Sequence, residues 1–260
     1  MSRIPAVFLS HGAPTLAVGE GIEARAWADL ASELPRPKAI LAVSAHWDTR
    51  DPEVSAAPRM ETIHDFRGFP RELYEQKYPA PGAPDLAQRA AALVKGAGLP
   101  CSVDPARGLD HGAWVPLKWM YPKADIPVTQ LSVQSHRGPA HHVKLGQAIA
   151  PLADEGVLLL ATGGIVHNLG DLEWDKRGTR EAAEWARQFN DWIADRVASE
   201  AADDLLRYRE HAPNAVRSHP TEDHFAPFFV ALGAGGWPAR RLEIGFDLGT
   251  LGLDGYIFGH

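Results

Sequence analysis

Short apolar runs alternate with longer stretches in which apolar residues recur every three or four positions. The runs at 6–9, 39–43, 128–133 and 157–161 are partly β-branched and bounded by glycine or proline, which predicts buried strands. A less apolar run at 242–246 predicts a fifth. Between them, Leu86, Ala90, Leu93 and Leu99 mark a helix that Gly96 and Gly98 stop, and Leu145, Ile149 and Leu152 mark a second. Trp185, Phe189, Trp192 and Val197 mark a third, the longest and most regular. Strands separated by helices predict an α/β layered fold: one domain over residues 1–260, with a central mostly parallel or mixed sheet flanked by helices. The stretch 62–84, rich in Gly, Pro and aromatics, reads as a long ordered loop of the kind that often carries function.

The chain has 12 histidines, and their positions are not scattered. The first strand runs into Ser10-His11-Gly12, the second into Ser44-Ala45-His46-Trp47, and the fourth into Gly163-Gly164-Ile165-Val166-His167. Three imidazoles therefore fall at strand carboxyl ends, the edge of an open α/β sheet where ligands bind. Packing alone gives no reason for histidine to recur there. His111 lies in a turn, Gly108-Leu109-Asp110-His111-Gly112, that leads into an apolar segment at 114–120. The residues from His219 to His224 read as a helix start, with Thr221 as N-cap, His224 in the first turn, and Phe225, Phe228 and Phe229 as its buried face.

These segments, taken in order, resemble the class III extradiol ring-cleaving dioxygenases, in the 4,5-DOPA extradiol dioxygenase-like branch. The matching stretches are Leu9-Ser10-His11-Gly12-Ala13-Pro14, Val43-Ser44-Ala45-His46-Trp47, Thr62-Ile63-His64-Asp65-Phe66, Tyr78-Pro79-Ala80-Pro81-Gly82, Leu109-Asp110-His111-Gly112, Val166-His167-Asn168 and Pro220-Thr221-Glu222-Asp223-His224. The resemblance implies that His11, His46 and His224 hold a divalent metal, that His167 is the acid/base, and that His111 is a second active-site histidine. It also implies a catechol-type aromatic diol and O₂ as substrates, with Fe(II) as the working metal; members of this branch can carry Zn(II) when isolated. The donor chemistry agrees, since an enzyme that binds a diol and O₂ on one metal must leave positions open. Three imidazoles with an open position also make a catalytic zinc arrangement, so a zinc hydrolase using the same residues is the alternative. Glu222 or Asp223 stands as an alternative third ligand to His224.

The other histidines carry weaker signals. His64 is either a pocket wall or a loop staple. His136, His141 and His142 fall in or before a predicted helix, with the adjacent pair expected to face solvent, and His219 is expected to shape the turn before Pro220. Arg67, Arg107 and Arg137 are candidate cations for a substrate carboxylate. The formal charge of −7 and the lack of a basic run disfavour nucleic acid as a partner. No stretch approaches the roughly 20 apolar residues that span a bilayer. A single cysteine, Cys101, allows no internal disulfide and fits a reducing, cytoplasmic setting. A homo-oligomer is left open.

Overall fold

The computed structural model describes residues 3–19 and 21–260. Its strands are β1 (Ala6–Ser10), β2 (Ala39–Asp48), β3 (Glu53–Ser55), β4 (Ser102–Asp104), β5 (Val128–Val133), β6 (Val157–Gly163), β7 (Ala239–Leu242), β8 (Phe246–Asp247), β9 (Leu251–Gly252) and β10 (Gly255–Phe258). Eight of them form one mixed sheet in the order β4-β3-β5-β2-β6-β1-β10-β7, and β8 and β9 pair separately. The four central strands, β5-β2-β6-β1, are parallel, whereas β10 runs antiparallel to both β1 and β7.

The central strands read as continuous apolar runs because both faces are covered. Phe8, Leu41, Val43, Leu159 and Ala161 belong to one core, while Val7, Leu9, Ile40, Ala42, Leu158 and Leu160 belong to the other. Helices α1 (Ile22–Glu33) and α4 (His111–Met120) close the second core through Trp27, Leu30, Trp114 and Leu117. The short helix α2 (Arg71–Tyr74) lies within the stretch 62–84. The first core is closed by α3 (Pro84–Gly96), α5 (Gly138–Ile149) and α6 (Glu184–Ala198). Three short helices follow, α7 (Ala202–Leu206), α8 (Tyr208–His211) and α9 (Ala215–Ser218). Helix α10 (Ala226–Gly235) completes this layer and is buried along nearly its whole length, packing mainly on α5 and β6.

The predicted strands and helices are present, with three corrections. The run at 242–246 is not one strand: Asp254 Oδ1 accepts the N–H groups of Ile244 and Gly245, so those residues leave the ladder and separate β7 from β8 along the chain. The last helix begins at Ala226, not at Thr221. Pro227 sits where a missing N–H costs nothing, and the Thr221 hydroxyl donates to Asp223 Oδ1 instead of capping. His224 thus lies in the turn before the helix. His142 does not face solvent: it is fully buried, donating from Nδ1 to the Gly138 carbonyl and accepting the Gln134 N–H at Nε2.

Candidate metal centre

Five histidines meet at the carboxyl edge of the central strands, each delivered by a different local device. His11 follows β1, and its N–H donates to the Gly163 carbonyl at the end of β6, 2.9 Å away. The preceding Ser10 hydroxyl donates to the Asp254 carbonyl and accepts the Ile165 N–H, tying the His11 and His167 loops together. His46 lies inside β2, where the pairing with β5 shifts register between Val43 and Asp48; such an irregularity re-aims side chains at a sheet edge. His111 opens α4, whose N-cap is Asp110: the carboxylate accepts the Ala113 N–H. His167 and His224 come from facing turns. His167 N–H donates to the Ser218 carbonyl, and Gly164 N–H donates to the His224 carbonyl.

Two glycines permit this convergence. A Cβ on Gly112 would lie 2.4 Å from Ser44 Oγ and 2.9 Å from His46 Cδ2, so only glycine lets α4 press its first turn against the histidines. A Cβ on Gly163 would lie 2.1 Å from the His224 carbonyl oxygen, so a side chain there would push His224 off the strand end.

The rings form one cluster. His46 Nε2 is 3.0 Å from His11 Nε2. Donor nitrogens of His11, His46 and His111 all lie within 4.8 Å of one another. The His224 ring centroid is 4.9 Å from that of His46 and 5.4 Å from that of His11, and the His167 ring stacks flat on His224 at 3.5 Å. Burial pushes His11 and His46 well below the ordinary histidine range, and repulsion from the neighbouring imidazoles adds to it. His167 is pushed down to about 2, first by burial and then by His224. All three rings are therefore neutral near pH 7, the form that a metal ligand or a general base requires.

The donor set fits a divalent cation. Both ring nitrogens of His224, and Nδ1 of His11, are buried without a hydrogen-bond partner. Leaving such groups unmet costs about 1–3 kcal/mol each, so a buried polar atom without a partner asks for an explanation. The nearest carboxylate oxygen to His224 Nδ1 is Asp223 Oδ2, at 3.3 Å. Burial alone would raise the Asp223 carboxyl, but the His224 imidazole beside it holds it well below the usual range. Glu222 is turned away from the cluster, toward the Tyr208 hydroxyl and Arg209.

Sequence reasoning missed Asp65. Its Oδ1 accepts both the backbone N–H and the Nδ1–H of His111, at 2.9 and 3.0 Å, and its Oδ2 lies 3.3 Å from His46 Nδ1. The position stood inside a matched motif, but an acidic residue in a loop carries no signal of its own until the loop is folded. That loop forms an aromatic wall beside His111: Phe66 meets the His111 ring edge-on at 5.7 Å and also contacts Phe69 and Tyr74. His64 is a staple, with Nε2 2.9 Å from the Gln76 carbonyl and its ring against Trp114. Arg107 is committed to Asp110 and stacked over Trp47, and Arg137 is paired with Asp51, whereas Arg67 is exposed.

Known proteins place this arrangement in context. Residues 5–252 match the family described as the catalytic LigB subunit of aromatic ring-opening dioxygenase. A 4,5-DOPA dioxygenase extradiol of Beta vulgaris is 43% identical over 96% of this chain and 95% of that protein. One of Escherichia coli K12 is 41% identical over 97% of this chain and 93% of its own length. The crystal structure of an uncharacterized protein from Escherichia coli K12 covers 99% of this chain and 100% of its own, at TM-score 0.83 and 37% identity. A histidine cluster at the strand edge and a family match running almost end to end converge on one assignment: the chain belongs to the LigB family of aromatic ring-opening dioxygenases, in its extradiol, 4,5-DOPA dioxygenase-like branch.

Proposed function

We propose that this enzyme opens a catechol-type ring next to its two hydroxyls, incorporating both atoms of O₂ to give a semialdehyde. The observation that carries the reading is the imidazole cluster in which His11 Nδ1 and both His224 nitrogens are buried with no partner within the protein. His11, His46 and His224 would hold the metal. Bound there, Fe(II) would supply the redox chemistry that couples an electron-rich diol to O₂. The relatives named for DOPA favour a catechol bearing a side chain.

The protein's own groups handle the protons. His167, stacked on His224 and kept neutral by burial, takes a proton from one catechol hydroxyl and returns it as the ring opens. His111 donates from Nδ1 to Asp65, so its Nε2 is free to receive the second proton. That new N–H then faces the negative charge that develops on oxygen. Phe66 and its aromatic neighbours wall this side of the site against water.

One observation favours a second donor set: the nitrogens of His111, not those of His224, fall within 4.8 Å of those of both His11 and His46. Metal affinity of His111→Ala and His224→Ala separates the two sets, because only loss of a ligand abolishes tight binding. The zinc-hydrolase alternative uses the same residues, and family membership supports ring opening over it. A single free thiol, Cys101, which is buried, is consistent with a cytoplasmic setting. Among the described residues, no helix is long and apolar enough to cross a membrane.

The test is oxygen uptake by anaerobically Fe(II)-reconstituted protein against DOPA, caffeate and protocatechuate. Uptake with a yellow product is the expected result. Full metal occupancy with no uptake on any of them would overturn the reading, as would hydrolytic activity that survives without oxygen.

A further inference from the structure

We infer that Asp65 is a positioning residue that sets the ring tautomers of His46 and His111 together, so that one carboxylate couples the metal ligand to the substrate-facing histidine. The inference rests on the reading of His46 as a ligand given above.

The geometry is a bridge. Asp65 Oδ1 accepts two donors from one residue, the His111 backbone N–H and ring Nδ1–H, while Oδ2 lies 3.3 Å from His46 Nδ1. A carboxylate only accepts, so each imidazole facing it presents Nδ1–H and keeps the lone pair on Nε2. For His46, Nε2 is the nitrogen 3.0 Å from His11 Nε2, at the centre of the cluster. The His46 and His111 rings sit 4.0 Å apart between centroids, so fixing both from one anchor fixes their mutual placement.

The anchor itself is held. Ile63 N–H donates to the Leu109 carbonyl and Leu109 N–H to the Glu61 carbonyl, each at 2.8 Å, which locks the Asp65 loop to the segment entering α4. Thr62 Oγ1 accepts the Tyr78 N–H, and Trp114 Nε1 donates to the Ile63 carbonyl. Asp65 thus links two strand- and helix-borne histidines through a loop with little freedom to shift. Carboxylates behind metal-bound histidines commonly act in this way, fixing ring orientation and basicity.

Asp65→Asn separates this role from simple packing. The asparagine oxygen must stay on His111, because the backbone N–H there needs an acceptor. Its amino group then faces His46 Nδ1, which must become the acceptor, and His46 must carry its proton on Nε2. Long-range ¹H–¹⁵N correlation spectra of the metal-free protein near neutral pH read this directly. In the wild type both rings are expected as Nδ1–H. In Asp65→Asn, His46 is expected to switch to Nε2–H while His111 does not. Competition titration with Zn(II) and a chelator is expected to show about 10–100-fold weaker binding by the variant. Unswitched His46 together with unchanged zinc affinity would overturn the inference. Asp65→Ala supplies the second case: with no group to impose a tautomer, His46 and His111 are expected to lose their Nδ1–H preference, and retention of both would also count against the bridge. If the wild type binds no zinc yet shows both Nδ1–H rings, the functional reading falls while the bridge stands.

Discussion

His142 and His224 are buried to a similar degree, 0% and 6% exposed, yet they are opposite kinds of residue. His142 is closed: one nitrogen donates to Gly138 O, the other accepts from Gln134 N–H, and nothing about it asks for a ligand. His224 is open, with neither nitrogen in a hydrogen bond and a second imidazole stacked on its face. His219 stands between them: Nε2 bonds Ile165 O and the ring packs flat on Phe225, but the buried Nδ1 has no partner and no other imidazole nitrogen in that condition beside it. Burial is shared by both groups, so it does not by itself mark a functional histidine. What marks one is a nitrogen the fold has desolvated and left without a partner, next to other nitrogens in the same condition.

The sharpest break in this comparison comes from deleting the clustered histidines. Alanine at His11, His46 or His224 is expected to abolish tight metal binding and ring cleavage, measured by metal stoichiometry and oxygen uptake. His167→Ala should instead keep the metal and lose about 10²–10⁴-fold in turnover, the usual worth of a positioned acid/base. Retained turnover in His167→Ala would remove it from proton transfer. Substituting the closed His142 with alanine reverses the pattern. Turnover per folded molecule is expected to hold, while chemical denaturation shows a loss of about 1–3 kcal/mol from the unmet Gln134 N–H and Gly138 carbonyl.

The smallest effect is in the pH dependence of stability. Burial pushes His142 down to about 4 and His219 down to about 3, against an ordinary value of 6.5. The folded state therefore binds fewer protons than the unfolded chain below pH 6.5. Stability is fully present above that pH and is lost as pH falls toward 4 and 3. Each histidine contributes a slope of about 1.4 kcal/mol per pH unit inside its window. His142→Gln should make the decline between pH 6 and 4 shallower by about one proton, as read from denaturation midpoints. An unchanged slope would mean that His142 is protonated in the native state.

The strands were legible because both faces of the parallel sheet are buried, which writes them as uninterrupted apolar runs. The same logic placed His11, His46 and His167 on one edge, since the strands deliver them there. His224 was legible only through its motif. Its helix start was misplaced because Thr221 competes locally for Asp223, and Pro227 sets the true boundary. His142 was misjudged because two adjacent histidines on a helix point in different directions, and one of them meets the end of β5. Asp65 was invisible as an acceptor because its partners, His46 and His111, are 19 and 46 residues away. Strand β10 was missed: its residues, Gly255-Tyr256-Ile257-Phe258, are a short apolar run near the chain end, and only pairing with β1 and β7 makes them a strand.

The most direct test of the central claim is a Zn(II) titration of the metal-free protein, followed through histidine ring ¹⁵N resonances. One equivalent is expected to shift His11, His46 and His224 at their ligating nitrogens and to leave the closed His142 where it was. Saturation without movement of the clustered histidines, or with movement of His142, would contradict the claim that clustered imidazoles with nitrogens left unpartnered mark the metal centre.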